Sequence, residues 1–154
     1  MPATADIKTS GTTIDADDVA RFSAMADEWW DPTGNFKPLH KFNPVRLGYI
    51  RDRLCAHFGR DAQSLTPLDG LTLLDVGCGD GHAINVMAEA FPASRFHGYD
   101  ITTAGLESAA AEAKRMGLAN TNFAHVDVTA LPTEPKFDVI TAFDSIHDQF
   151  APDV

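Results

Sequence analysis

Only two cysteines occur in the chain, Cys55 and Cys78. They lie far apart without metal-ligand spacing, which argues against a disulfide framework and a thiolate zinc site. Reduced thiols are expected. No apolar run approaches the roughly 20 residues that span a bilayer, so no membrane-crossing helix is predicted. Basic residues are outnumbered, 12 Lys and Arg against 22 Asp and Glu, for a formal charge of −10. That balance opposes binding to a phosphate backbone, and the scattered arginines make no compensating patch, so nucleic acid is not an expected partner. The opening Met1-Pro2-Ala3-Thr4-Ala5-Asp6 has neither the basic start nor the apolar centre of a secretory signal, and the cytoplasm is the expected compartment. Internal repeats and low-complexity tracts are absent as well.

What is present suits one globular domain: 154 residues, 44% hydrophobic, with ten Phe. Residues 1–13 are small, polar and Thr-rich and read as a flexible tail. Residues 14–60 read as a helical N-terminal segment. Val19, Phe22, Met25 or Ala26, and Trp29 recur at helical spacing up to Trp30. After the Asp31-Pro32-Thr33-Gly34 turn, Asn43 is placed to cap a second helix with Pro44 at its first position, Leu47, Ile50, Leu54 and Phe58 on one face, and Gly59 closing it. Residues 60–70 form a polar linker, and a second architecture occupies residues 71–154. Its strands at 71–76, 95–99, 122–126 and 137–143 alternate with helices at 82–91 and 104–116, the pattern of an α/β fold with a doubly wound parallel sheet.

The chemistry begins at Asp75-Val76-Gly77-Cys78-Gly79-Asp80-Gly81, between a strand and a helix. Glycines at alternate positions let the backbone approach a ligand more closely than a β-carbon allows, at the strand end where such sheets bind nucleotides. A dinucleotide fingerprint would place its third glycine at position 82, which is His82 here. S-adenosylmethionine (SAM) lacks a pyrophosphate but carries an amine and a carboxylate, and an acid such as Asp75 can organise the loop around the amine. Asp100 closes the next strand about twenty residues beyond the glycines, where a carboxylate can accept both ribose hydroxyls. Asp127 ends the third strand, in reach of an adenine amino group; a plain strand-end turn is its other reading.

These residues resemble the class I SAM-dependent methyltransferases over roughly residues 71–148, with Asp75 to Gly81 matching the first motif of that superfamily. The resemblance implies a Rossmann-like sheet, with Gly77, Gly79 and Gly81 on the cofactor, Asp100 on its ribose, Asp127 near its adenine and Phe143 by its methionine portion. The segment Arg21-Phe22-Ser23-Ala24-Met25-Ala26-Asp27-Glu28-Trp29-Trp30-Asp31-Pro32, with Phe36-Lys37-Pro38-Leu39-His40 and Asn43-Pro44-Val45-Arg46-Leu47-Gly48-Tyr49-Ile50, resembles a narrower group, the ubiquinone-biosynthesis O-methyltransferases. That resemblance implies methyl transfer to a phenol or quinol of a ubiquinone precursor, a cap on the substrate side formed by residues 14–60, and Arg46 reaching the cofactor's carboxylate.

From Asp80 onward the chain looks like a different small-molecule methyltransferase branch, so two lineages meet near the glycine loop. After the fourth strand the ubiquinone-biosynthesis O-methyltransferases have Glu-x-x-Glu-His, associated with a divalent metal, whereas this chain has Asp144-Ser145-Ile146-His147-Asp148. Asp144, His147 and Asp148 are the candidate catalytic residues, positioned to orient or deprotonate a hydroxyl. No metal site is assigned, and magnesium is the one ion the donor set leaves open. The sheet reads as truncated after its fourth strand, with an edge open to self-association. Peripheral contact with an inner membrane is left open, although the first two helices show no basic face in the sequence. Two other readings stay open: a small-molecule methyltransferase of another branch, and a SAM-binding module without catalysis.

Overall fold

The computed structural model describes residues 37–128, 131, 133–134, 136–143 and 145–146. Helix α1 (Lys37–Phe58) is followed by β1 (Thr72–Val76), α2 (His82–Ala90), β2 (Arg95–Asp100), α3 (Thr103–Met116), β3 (Thr121–His125) and β4 (Val139–Thr141). The strands form one parallel sheet in the order β3-β2-β1-β4. The expected alternation is therefore present, and β1 lies between strands that follow it on opposite sides. The chain leaves β1 toward β2 and returns to the other flank as β4, which opens a crevice at the carboxyl end of β1.

Burial follows from that central position. Leu73, Leu74 and Asp75 are each at most 2% exposed, the continuous burial of a strand covered on both faces. From α2, Ile84, Met87 and Ala88 enter the core at i, i+3, i+4 spacing. Ile50 and Cys55 of α1 pack against the same core, and so does Leu68 from the segment expected to be a polar linker. Both thiols are free, Cys55 being buried. Helix α3 ends as the sequence indicated, with Lys114 and Arg115 in its last turn and Gly117 taking φ 71° to cap it. At the amino ends of β2 and β3, the Asn120 amide donates to the carbonyls of Ala88 (3.0 Å) and Ser94 (3.1 Å), tying α2 to the start of β3.

Most element boundaries differ from expectation by one residue, and those of α1 and β4 by more. Helix α1 starts at Lys37 rather than at an Asn43 cap, with Pro44 inside it; its far end does close at Gly59 (φ 62°), where the Arg60 N–H reaches the Cys55 carbonyl at 2.8 Å. Strand β3 starts at Thr121, before the predicted 122. Strand β4 keeps only Val139–Thr141 of the predicted 137–143, because Phe137 and Asp138 precede its ladder with β1, where Asp138 instead exchanges hydrogen bonds with Thr72 through both backbone and carboxylate. The amphipathic stretch 15–30, including Trp29 and Trp30, lies outside the described residues.

Candidate active site at the carboxyl ends of the strands

The turn between β1 and α2 is built on left-handed glycines, with φ of 71° at Gly77, 52° at Gly79 and 70° at Gly81. Side chains rarely tolerate that backbone region, which is why glycine alternates through it. Strand β2 holds the turn in place. The Tyr99 carbonyl accepts from the N–H groups of Gly77 (2.8 Å) and Cys78 (3.1 Å). The Asp100 carboxylate accepts the Gly79 N–H on Oδ2 at 2.7 Å, and the Thr102 N–H and hydroxyl on Oδ1 at 2.8 and 2.6 Å. A carboxylate offers about four acceptor sites, so Asp100, 8% exposed, keeps one for a ligand unless an internal bond is exchanged.

Close approach at two of the glycines is to protein. A β-carbon on Gly77 would lie 2.5 Å from Ser145 Cβ, and one on Gly81 would collide with Ala109 and Phe123. Ser145 is placed there by its hydroxyl, which donates to the Val76 carbonyl at 2.7 Å.

Asp75 ends β1 almost completely buried and accepts the Thr141 hydroxyl at 2.9 Å across the β1–β4 pair. Burial pushes its carboxyl up to about 7, against the opposing pull of Thr141, the Phe143 backbone and the Arg46 guanidinium. Arg46 comes from α1 and stacks over the Phe143 ring, 4.9 Å from its centroid. Among the described residues it has no carboxylate within ion-pair distance. Arg46, Asp75 and Phe143, taken from three separate stretches of sequence, thus meet at one end of β1. Burial, together with the carboxylates of Asp100 and Asp75, raises the Cys78 thiol well above its ordinary range, so it is no nucleophile at neutral pH.

Asp127 follows β3 at the same end of the sheet, half-buried and engaged in interactions of its own. Asp144, His147 and Asp148 lie outside the described residues. Among the described residues no group of three metal-ligating side chains occurs. A surface recess of ≈530 Å³ lies at the opposite ends of the strands, lined by Arg95, His97, Asn120 and Asn122 among others. It shares none of the glycine turn or its carboxylates, so it is not where this chemistry would be done. Burial and Arg95 hold His97 beside that recess below its ordinary pKa.

Sequence reading missed Thr102 and Thr141, whose roles depend on hydrogen bonds to residues it did select. It also missed His82, Asn85 and Glu112, which join α2 to α3 through side chains. The only sequence signal at Glu112 is an acid on the buried face of an amphipathic helix.

A family model described as a methyltransferase domain matches residues 67–154. The chain belongs to the methyltransferase domain family. A ubiquinone biosynthesis O-methyltransferase of Sinorhizobium medicae is 48% identical to this chain over 143 residues, 90% of the chain and 53% of the relative. The chain therefore spans about half the length of that relative. An enzyme of the same name from Rhizobium etli is 70% identical over 70 residues, 46% of the chain and 28% of the relative. Among solved structures, a SAM-dependent methyltransferase from Thiobacillus denitrificans, in complex with S-adenosyl-L-homocysteine, matches with a TM-score of 0.53 at 20% identity. It covers 84% of this chain and 44% of that one, a likeness of fold.

Proposed function

We propose that the chain binds SAM at the carboxyl ends of β1, β2 and β4 and transfers its methyl group to a phenolic oxygen of a ubiquinone precursor. The observation that carries the cofactor half is the meeting of Arg46 with Asp75. A guanidinium and a buried carboxylate in the same crevice, not ion-paired to each other, suit the carboxylate and ammonium of an amino-acid moiety, which a dinucleotide lacks. The remaining acceptor site of Asp100 suits a ribose hydroxyl, Asp127 an adenine amino group, Phe143 the methionine portion, and the turn carrying Gly77, Gly79 and Gly81 closes over the ligand. The substrate half is supported by the names of the curated relatives and by the resemblance of residues 21–50.

Bound SAM supplies a sulfonium methyl open to in-line displacement. Asp144, His147 and Asp148 follow β4 in sequence, and they orient the phenolic hydroxyl while His147 accepts its proton. No step is assigned to magnesium. Residues 14–60 form the cap on the substrate side, consistent with α1 delivering Arg46 to the site. Peripheral attachment to an anionic membrane is supported by α1, which between residues 41 and 53 carries Lys41, Arg51 and Arg53 besides the site residue Arg46, against Asp52, with Phe42, Val45 and Tyr49 about 60% exposed. Among the described residues no helix is long and apolar enough to cross a membrane.

Calorimetry with SAM tests the cofactor, and methyl transfer to a demethylated quinol precursor tests the reaction. Absence of SAM binding would overturn both halves, and binding without transfer would overturn the second. Replacing His147→Gln is expected to lower turnover by about 100-fold, the lower range for a lost general base, while SAM affinity stays unchanged. Undiminished turnover would remove His147 from the mechanism.

A further inference from the structure

We propose that Asn43, His82 and Glu112 form a polar clamp that holds the amino-terminal half of α1 over the glycine turn and so sets the position of Arg46. This rests on the reading of Arg46 as the anion-binding group of the cofactor site. Among the described residues, the first of α1 in or against the apolar core are Leu47 and Ile50, while residues 41, 42, 44 and 45 are exposed. Arg46 lies ahead of that anchorage. Asn43 is three residues earlier on the same face of the helix, and its Nδ2 lies 3.3 Å from His82 Nε2. His82 Nδ1 in turn lies 3.1 Å from Glu112 Oε1.

The donor and acceptor roles follow from the carboxylate. It only accepts, so His82 Nδ1 carries the hydrogen, which leaves Nε2 to meet the Asn43 amide. Glu112 has a side chain only 6% exposed, and its other oxygen accepts the Asn85 amide at 2.8 Å. One chain of hydrogen bonds thus links α1, α2 and α3. His82 is the residue directly after Gly81 and the first of α2, so the chain is anchored at the turn itself.

This is a costly way to join helices. Among the described residues the Asn85 Oδ1 is buried without a hydrogen-bond partner, and a desolvated carboxylate replaces what apolar side chains could fill. Stability alone does not account for it. Direction does: a hydrogen-bonded histidine fixes where Asn43 sits, and a helix residue three positions on is fixed with it.

The test uses the full chain with SAM as the probe. Affinity is measured by calorimetry for the parent, Asn43→Ala, Arg46→Ala and the double variant, and hydrogen exchange is followed across residues 37–58 without ligand. The clamp predicts that Asn43→Ala weakens binding by about five- to tenfold, the scale of one hydrogen bond. It predicts no further loss when Arg46 is already alanine, because the effect passes through that side chain. Exchange in the first half of α1 should accelerate while β1 and β2 keep their protection. His82→Phe, which keeps a ring without nitrogens, should reproduce both effects. Additive losses in the double variant, or unchanged exchange in α1, would overturn the clamp. If the parent itself fails to bind SAM, the cofactor reading falls; exchange in α1 then decides the clamp alone, acceleration upholding it and no change refuting it.

Discussion

Asp75 carries the clearest pH signature of any described side chain. Its carboxyl is raised from 3.8 to about 7 on burial, so the folded state binds this proton more tightly than the unfolded chain does. The stability it contributes is fully present below about pH 4 and is lost as pH rises toward 7. A tenfold change in proton affinity is worth about 1.4 kcal/mol, so Asp75→Asn, which keeps an acceptor for Thr141, should flatten the fall in stability across this range by several kcal/mol. Urea denaturation at a series of pH values measures it. If the cofactor's ammonium sits beside Asp75, SAM binding near pH 6.5 should also release a fraction of a proton, and Asp75→Asn should abolish that release. Gly81 is a steric case. A β-carbon there meets Ala109 and Phe123 at a φ of 70°, so Gly81→Ala combines overpacking with backbone strain. A loss on the order of 3 kcal/mol is expected in denaturant melts.

At the scale of elements, single polar side chains do the joining. Asn120 supplies the carbonyl of Ala88, near the end of α2, and that of Ser94, in the turn before β2. Asn120→Ala should strand both carbonyls and cost about 2 kcal/mol in thermal unfolding, without changing SAM affinity, because the glycine turn lies at the other end of the sheet. Strand β4 depends on its neighbour in a similar way. Only three residues pair, and Thr141 and Asp138 lock its two ends to β1 through side chains. The predicted strand from 137 to 143 followed the apolar run faithfully, but hydrophobicity records burial, and a ladder also needs a partner of matching length. The early start of α1 at Lys37 shows the converse, since Asn43 and Pro44 are strong start signals that the three-dimensional context overrides.

For the whole molecule, the exposed flank of the sheet matters most. β4 is the outer strand of the described sheet, and Ile140 on it is 62% exposed. An apolar, unpaired edge recruits another strand. Sedimentation at rising concentration should show association of the chain, and Ile140→Lys should suppress it without moving the melting temperature by more than about 2 °C, an outward-facing change being worth under about 0.5 kcal/mol. The formal charge of −10 is unevenly spread, since α1 is a basic element in an acidic chain. Vesicles containing anionic lipid should therefore retain the protein at low salt and release it as salt screens the attraction.

The sequence by itself determined the α/β alternation, the glycine turn and the acid that closes β2, because these depend on local rules: periodicity, the backbone freedom of glycine and a spacing of about twenty residues between two strand ends. It also placed Arg46 and Phe143 among the residues of interest, through resemblance. Tertiary structure decided the rest. That Arg46 stacks on Phe143 near Asp75 depends on where α1 docks, and that Thr141 faces Asp75 depends on the β1–β4 register. That two of the three motif glycines make room for Ser145, Ala109 and Phe123 depends on contacts with residues far away in the chain. Hydrogen bonds and burial between distant segments leave no periodic trace, so His82 and Glu112 became visible as partners only once their helices were side by side.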